Sequence, residues 1–221
     1  MFRNLTTLIY INFADNELTE IPNEIFAPLL DLEEVNLSNN KITSLTPEIF
    51  KNNSELTELN LRNNPLTTVS GISIPNLLRL DISQCAFKNL DSESFVGFTH
   101  LRNLNLSRNS LTSIPSDVFK LMKKLMYIDL SNNNLIGQIP DDVFLYNDEI
   151  ETIKLENNPM MESLPEDGFQ GEFSELYQLD VSNCGITHLS KNAFKGMDHL
   201  AILNLSGNKI EFINLEHWSR S

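Results

Sequence analysis

The chain has 221 residues, 41% of them hydrophobic, which is enough to bury one continuous core. Its 30 acidic against 16 basic residues give a formal net charge of −14. That balance argues against a nucleic-acid ligand, whose binding rests on a basic footprint. No stretch approaches the roughly 20 consecutive apolar residues of a membrane span, and no basic–apolar–small leader opens the chain.

In chain order, Phe2-Arg-Asn-Leu5-Thr-Thr-Leu8 comes first, with the spacing later found in Phe95-Val-Gly-Phe98-Thr-His-Leu101. The chain is therefore expected to begin inside the tail of a repeat. One phrase then recurs nine times: an apolar residue, two variable ones, an apolar–polar–apolar triplet, two polar residues and usually Asn. Leu101-Arg-Asn-Leu104-Asn-Leu106-Ser-Arg-Asn109 is a clear copy. Its last position falls at Asn16, Asn40, Asn64, Cys85, Asn109, Asn133, Asn158, Cys184 and Asn208, at intervals of 24, 24, 21, 24, 24, 25, 26 and 24 residues. A fixed period in this range marks a solenoid, and a solenoid offers a broad surface instead of a pocket.

The triplet alternates with period two, so each copy predicts a short strand with one buried face. Stacked copies give a parallel sheet whose Leu, Ile and Val residues share one core. The Asn that follows is expected to be buried, its amide satisfying peptide groups where the chain turns inward. Cys85 and Cys184 are expected to fill that position as small, mostly apolar side chains. In the second half of the repeat an apolar residue precedes Phe by five positions, giving the column Phe26, Phe50, Phe95, Phe119, Phe144, Phe169 and Phe194. This column predicts an aromatic spine under the convex side. Pro22, Pro115, Pro140 and Pro165 are expected to start a short turn or helix there. The third repeat is three residues short and has no Phe, so the convex side should be thinner. Near the end, Ile213 and Trp218 keep the five-residue step with Trp in the Phe position.

These phrases, L-x-x-L-x-L-x-x-N-x-L followed by L-P-x-x-x-F-x-x-L, resemble the typical leucine-rich repeat of animal extracellular proteins. Toll-like receptors, Slit proteins and insect adhesion proteins of the chaoptin and connectin kind carry such arrays. One copy, Leu135-Ile-Gly137-Gln-Ile139-Pro140, looks like the plant-type variant. The resemblance implies an α/β-type solenoid: a horseshoe with a parallel concave sheet and short turns or helices on its convex side. Residues 1–221 then form a single domain of about nine repeats, cut within a repeat at both ends and without the cysteine-rich caps usual in extracellular members.

Cys85 and Cys184 lie four repeats apart, about 19 Å along the stack, too far for a disulfide. Asn-x-Ser/Thr sequons occur at Asn4, Asn36, Asn52, Asn105 and Asn204. Three of them, Asn36, Asn105 and Asn204, arise from the repeat's own wording. His100 and His199 occupy the same slot about 19 Å apart and cannot share a metal. With His188 and His217 they show no zinc-ligand spacing. No Ser stands in a nucleophile elbow and no Gly-rich phosphate loop occurs, so no catalytic residue, metal or cofactor is expected.

A partner would meet the outward strand residues, which fall in columns. The middle column runs Asn12, Asn36, Asn60, Asp81, Asn105, Asp129, Lys154, Asp180, Asn204, and the one before it Tyr10, Glu34, Glu58, Arg79, Asn103, Tyr127, Thr152, Gln178, Ile202. The column after includes Ser107, Ser131 and Glu156 among a run of Ser. The candidate binding residues are Tyr10, Arg79, Asp81, Asn103, Tyr127, Asp129, Lys154, Glu156 and Asp180. Asp129, Lys154 and Asp180 on successive strands read either as a solvated ion-pair ladder or as a charged rim beside a Tyr127 anchor. A glycan on Asn105 would screen this face.

The resemblance implies a non-enzymatic protein-recognition module of a cell-surface or secreted protein, in adhesion, receptor signalling or innate immunity. Its partner would be a protein ligand or co-receptor, and homo- or heterodimers are compatible with it. A cytoplasmic leucine-rich repeat scaffold and the ectodomain of a receptor kinase stay open as alternatives.

Overall fold

The computed structural model describes residues 2–213. The step to Trp218, and His217, lie outside the described residues. Among the described residues, nine three-residue strands form one parallel sheet in sequence order: β1 Tyr10–Asn12, β2 Glu34–Asn36, β3 Glu58–Asn60, β4 Arg79–Asp81, β5 Asn103–Asn105, β6 Tyr127–Asp129, β7 Thr152–Lys154, β8 Gln178–Asp180 and β9 Ile202–Asn204. Each is one of the apolar-centred triplets. In β1 to β8 its middle residue, such as Val35, Leu104 or Ile153, is buried, whereas Leu203 in the last strand is half-buried. The coil on either side covers that apolar face, and one continuous core runs the length of the stack. At the start, Leu5 donates to the Phe2 carbonyl and Leu8 to that of Leu5, the same turn that Phe98 and Leu101 make.

The ninth-position amides work as expected. Asn133 Nδ2 donates to the carbonyls of Leu106, Leu130 and Ser131, and its Oδ1 accepts from the Leu111 N–H of the coil before. The same pattern holds at Asn40, Asn64 and Asn109. One amide thus ties the turn of its own coil to that of its neighbour.

The cysteines need correction. They are not mere apolar filler: Cys184 Sγ lies 3.1 Å from the Leu155 carbonyl and Cys85 Sγ 3.5 Å from that of Leu61, so each thiol keeps the donor half of the amide's task. Burial pushes both thiols up to about 11, which keeps them protonated as donors. Both are free, and Cys85 is only half-buried.

The residue before each ladder position has a left-handed backbone. Asp15, Asn39, Asn63, Gln84, Arg108, Asn132, Asn157 and Asn183 have φ between 53° and 57° or at 61° for Asn157, and Gly207 completes the column at 69°. Asn, Asp and Gly tolerate this region best, which is why Asn-Asn doublets recur.

The convex side is built of turns, and no helix occurs among the described residues. The prolines open these turns: Ile25 donates to the Pro22 carbonyl, and Val118, Val143 and Gly168 donate in the same way to Pro115, Pro140 and Pro165. Phe26 stacks on Phe50 at 5.2 Å, and Phe95, Phe119, Phe144 and Phe169 form a second run with neighbouring centroids 5.6 to 6.2 Å apart. Between the runs the short third coil packs against the next so closely that a Cβ on Gly97 would lie 2.0 Å from the Ile72 carbonyl oxygen. A second buried amide column escaped the sequence reading. Asn53 donates to the carbonyls of Phe26 and Leu29, and Asn147 to those of Phe119 and Met122, at a position where other coils place Leu29 or Met122.

Candidate functional site

Strand pairing sets the outward residues in the expected columns without a slip. Tyr10 opposes Glu34, then Glu58, Arg79, Asn103, Tyr127, Thr152, Gln178 and Ile202 in turn. The nine candidate residues therefore share one face but form two groups. Tyr10, Arg79, Asp81, Asn103 and Tyr127 line a trough of about 400 Å³ over β1 to β6. Asp129, Lys154, Glu156 and Asp180 form a charged patch over β6 to β8, and Tyr127 joins the two.

The middle column carries a structural duty that the sequence reading missed. The side-chain oxygen of Asn36, Asp81, Asn105, Asp129, Asp180 and Asn204 accepts the backbone N–H two residues on, closing an Asx turn where the strand ends. At Asn36, Asp81, Asn105 and Asp180 the following Ser hydroxyl donates to the same oxygen. Asn-x-Ser and Asp-x-Ser thus reflect backbone closure, which explains why the column is mostly Asn and Asp.

Lys154 breaks this rule, because an ammonium cannot accept. Two residues on, Glu156 places a half-buried carboxylate where most coils have Ser. Burial first, then Asp129 and Asp180, hold that carboxyl above the usual carboxylate range. One of its oxygens, Oε2, is buried without a protein donor.

The ion-pair ladder through Lys154 does not form. Ion pairs within 4.0 Å among the described residues join Lys41–Glu17, Lys51–Glu48, Arg79–Glu58, Lys120–Asp117 and Lys124–Glu149. Lys154 instead places its ammonium 5.9 Å from the centre of the Tyr127 ring. The Tyr127 hydroxyl lies 3.3 Å from Asp129 Oδ2. Burial and the nearby carboxylates raise the Tyr127 phenol well above its ordinary value. In the trough, Arg79 bonds Glu58 across the β3–β4 step.

Of the sequons, Asn4 and Asn52 are exposed, whereas Asn36, Asn105 and Asn204 are half-buried within their Asx turns. No helix of the described residues is long and apolar enough to cross a membrane.

A parallel-coil solenoid with a side-chain array on its open face defines a recognition scaffold. The chain belongs to the leucine-rich repeat family, whose model matches residues 30–74, 75–135 and 174–220, more than half of its length. Among solved structures it is similar to Drosophila Toll in complex with Spatzle, with TM-score 0.88 and 23% identity over 98% of this chain and 29% of that one. It is also similar to TLR13 in complex with ssRNA13, with TM-score 0.82 and 24% identity over 99% of this chain and 36% of that one. PEPR1 in complex with AtPEP1 has TM-score 0.69 and 26% identity over 92% of this chain and 29% of that one. The chain therefore spans only about a third of these receptors' length. No curated protein sequence matches it. The TLR13 complex removes support from the expectation that a nucleic-acid ligand is excluded, because that protein holds an RNA with the same architecture.

Proposed function

We propose that this chain is a non-enzymatic protein-recognition segment of a cell-surface or secreted leucine-rich repeat protein, binding a protein ligand or co-receptor through its concave face. One observation carries the reading. At position 154 the chain places a lysine where the repeat otherwise uses Asn or Asp to close its backbone, and the cation lies over Tyr127 on the open face. A structural column gives up its backbone bond there and gains a cation beside Tyr127, a residue type enriched at interface hot spots. Toll with Spatzle and PEPR1 with AtPEP1 support the same direction. The rigid sheet lowers the ordering cost of binding. Signalling, adhesion and innate immunity all suit such a module.

The test is a binding screen of the secreted chain against an array of extracellular proteins, repeated with Lys154→Glu and Tyr127→Ala. Hits that the two variants lose, with unchanged melting temperature, support the reading. Hits indifferent to both variants remove the patch. Peptide mass mapping checks location in parallel: glycans on Asn4 or Asn52 mark a secretory route. A glycan on Asn105 would move binding to a flank of the coil.

A further inference from the structure

Resting on that reading, we infer that the trough over β1 to β6 takes an extended, cationic segment of the protein partner. Its volume is about 400 Å³, with Tyr10 at one end and Tyr127 at the other. Between them stand Glu34, Glu58 and Asp81 against a single cation, Arg79, which Glu58 already holds. Glu34 is exposed and has no cation within 4.0 Å among the described residues. The trough therefore keeps an excess of negative charge that no ion pair among the described residues neutralises, and a concave face concentrates that field.

Geometry limits the occupant. Five strand steps at about 4.8 Å span roughly 24 Å, the reach of about seven extended residues. A segment crossing the strands can set one Lys or Arg head on Glu34 and share Glu58 with Arg79, while its aliphatic stems lie along the ring of Tyr10. A phosphate backbone would meet the same carboxylates with repulsion, so the trough favours a basic protein segment over an RNA.

The probe is a fluorescein-labelled octapeptide of alternating Arg and Ala, followed by anisotropy at low salt. Its controls are the same peptide with Glu for Arg and a 13-nucleotide oligouridylate. The cationic peptide is expected to bind, and the double variant Glu34→Gln/Glu58→Gln to weaken it at least fivefold. Glu24→Gln/Glu93→Gln removes the same charge from exposed convex turns and should leave binding unchanged. Melting curves establish that both variants fold. Equal weakening by the two double variants would reduce the effect to net charge and overturn the inference. Binding of the oligouridylate in preference to the cationic peptide would overturn it as well. If a partner from the screen depends on Tyr127 and Lys154 but ignores Glu34→Gln/Glu58→Gln, the cationic trough fails while the recognition reading stands.

Discussion

Lys154 leans onto the ring of Tyr127, 5.9 Å from its centre, although Asp129 and Asp180 stand directly opposite it on both neighbouring strands. Both carboxylates already accept hydrogen bonds. Asp129 accepts from the Ser131 N–H and the Tyr127 hydroxyl, and Asp180 accepts from Ser182 and from the Asn204 amide. The cation lies instead within cation–π range of the ring face, where such a contact contributes about 0.5–1 kcal/mol at an exposed site. Tyr127 is thereby held at the junction of trough and patch.

If Lys154 costs the backbone an acceptor, restoring the repeat's usual pair should stabilise the fold. The double variant Lys154→Asn/Glu156→Ser rebuilds the Asx turn and removes a half-buried carboxylate. It should raise stability by about 1 kcal/mol, the net value of a typical hydrogen bond. Urea denaturation checks this. A loss of stability would mean that the cation over Tyr127 is worth more than the missing turn.

Glu156 gives a pH-dependent prediction. Its carboxyl is raised by burial and by Asp129 and Asp180, so the folded state binds its proton more tightly than the unfolded chain does. The sign follows: this group favours folding at acid pH, and that contribution is lost as pH rises through the raised folded value. Glu156→Gln keeps the shape of the side chain and carries no charge. Its melting temperature should exceed the wild type's at pH 7, and the gap should close as pH falls into the carboxylate range.

The buried amide ladder predicts unequal costs along one column. Asn133 makes three donor contacts and one acceptor contact and is 3% exposed, so Asn133→Ala strands several buried peptide groups. A loss of about 2–4 kcal/mol is expected from unsatisfied groups at roughly 1–3 kcal/mol each. Asn16 is exposed and only donates, to Phe13 and Ala14, so Asn16→Ala should cost less than about 1 kcal/mol. Chemical denaturation of both variants gives the comparison.

What the sequence made legible is what periodicity encodes. The triplets fixed strand, register and columns because an alternating apolar residue has only one way to reach the core. The aromatic spine followed from the same logic. Individual hydrogen-bond duties were hidden, because Asn on the open face and Asn in the core look alike in a string. Asn105 closes a turn, Asn109 ties two coils together, and Asn53 sits in a position elsewhere given to leucine. The left-handed column had a signal that went unread: Asn, Asp or Gly at seven of its nine positions, with Gln84 and Arg108 the exceptions. The direction in which Lys154 points carried no signal at all, since the register sets it beside Asp129 and Asp180 and next to Tyr127 alike.

The short third coil supplies the sharpest steric prediction. Losing three residues and its Phe, it can close only by bringing its backbone against the next coil, and Ile74 donates to the Gly97 carbonyl at 3.0 Å. At that approach a Cβ on Gly97 would fall 2.0 Å from the Ile72 oxygen and 2.7 Å from the Ser73 Cα. These are backbone atoms fixed by the stack on both sides, so no side chain can move to relieve them. Gly97→Ala should destabilise at or beyond the upper end of the roughly 1–3 kcal/mol range for overpacking. Gly196→Ala, whose added Cβ meets nothing within 4 Å, carries only the strain of its φ of 80°. Thermal melts of the two variants should rank Gly97→Ala as the more damaging, and the reverse order would mean that the third coil relaxes outward more readily than its packing implies.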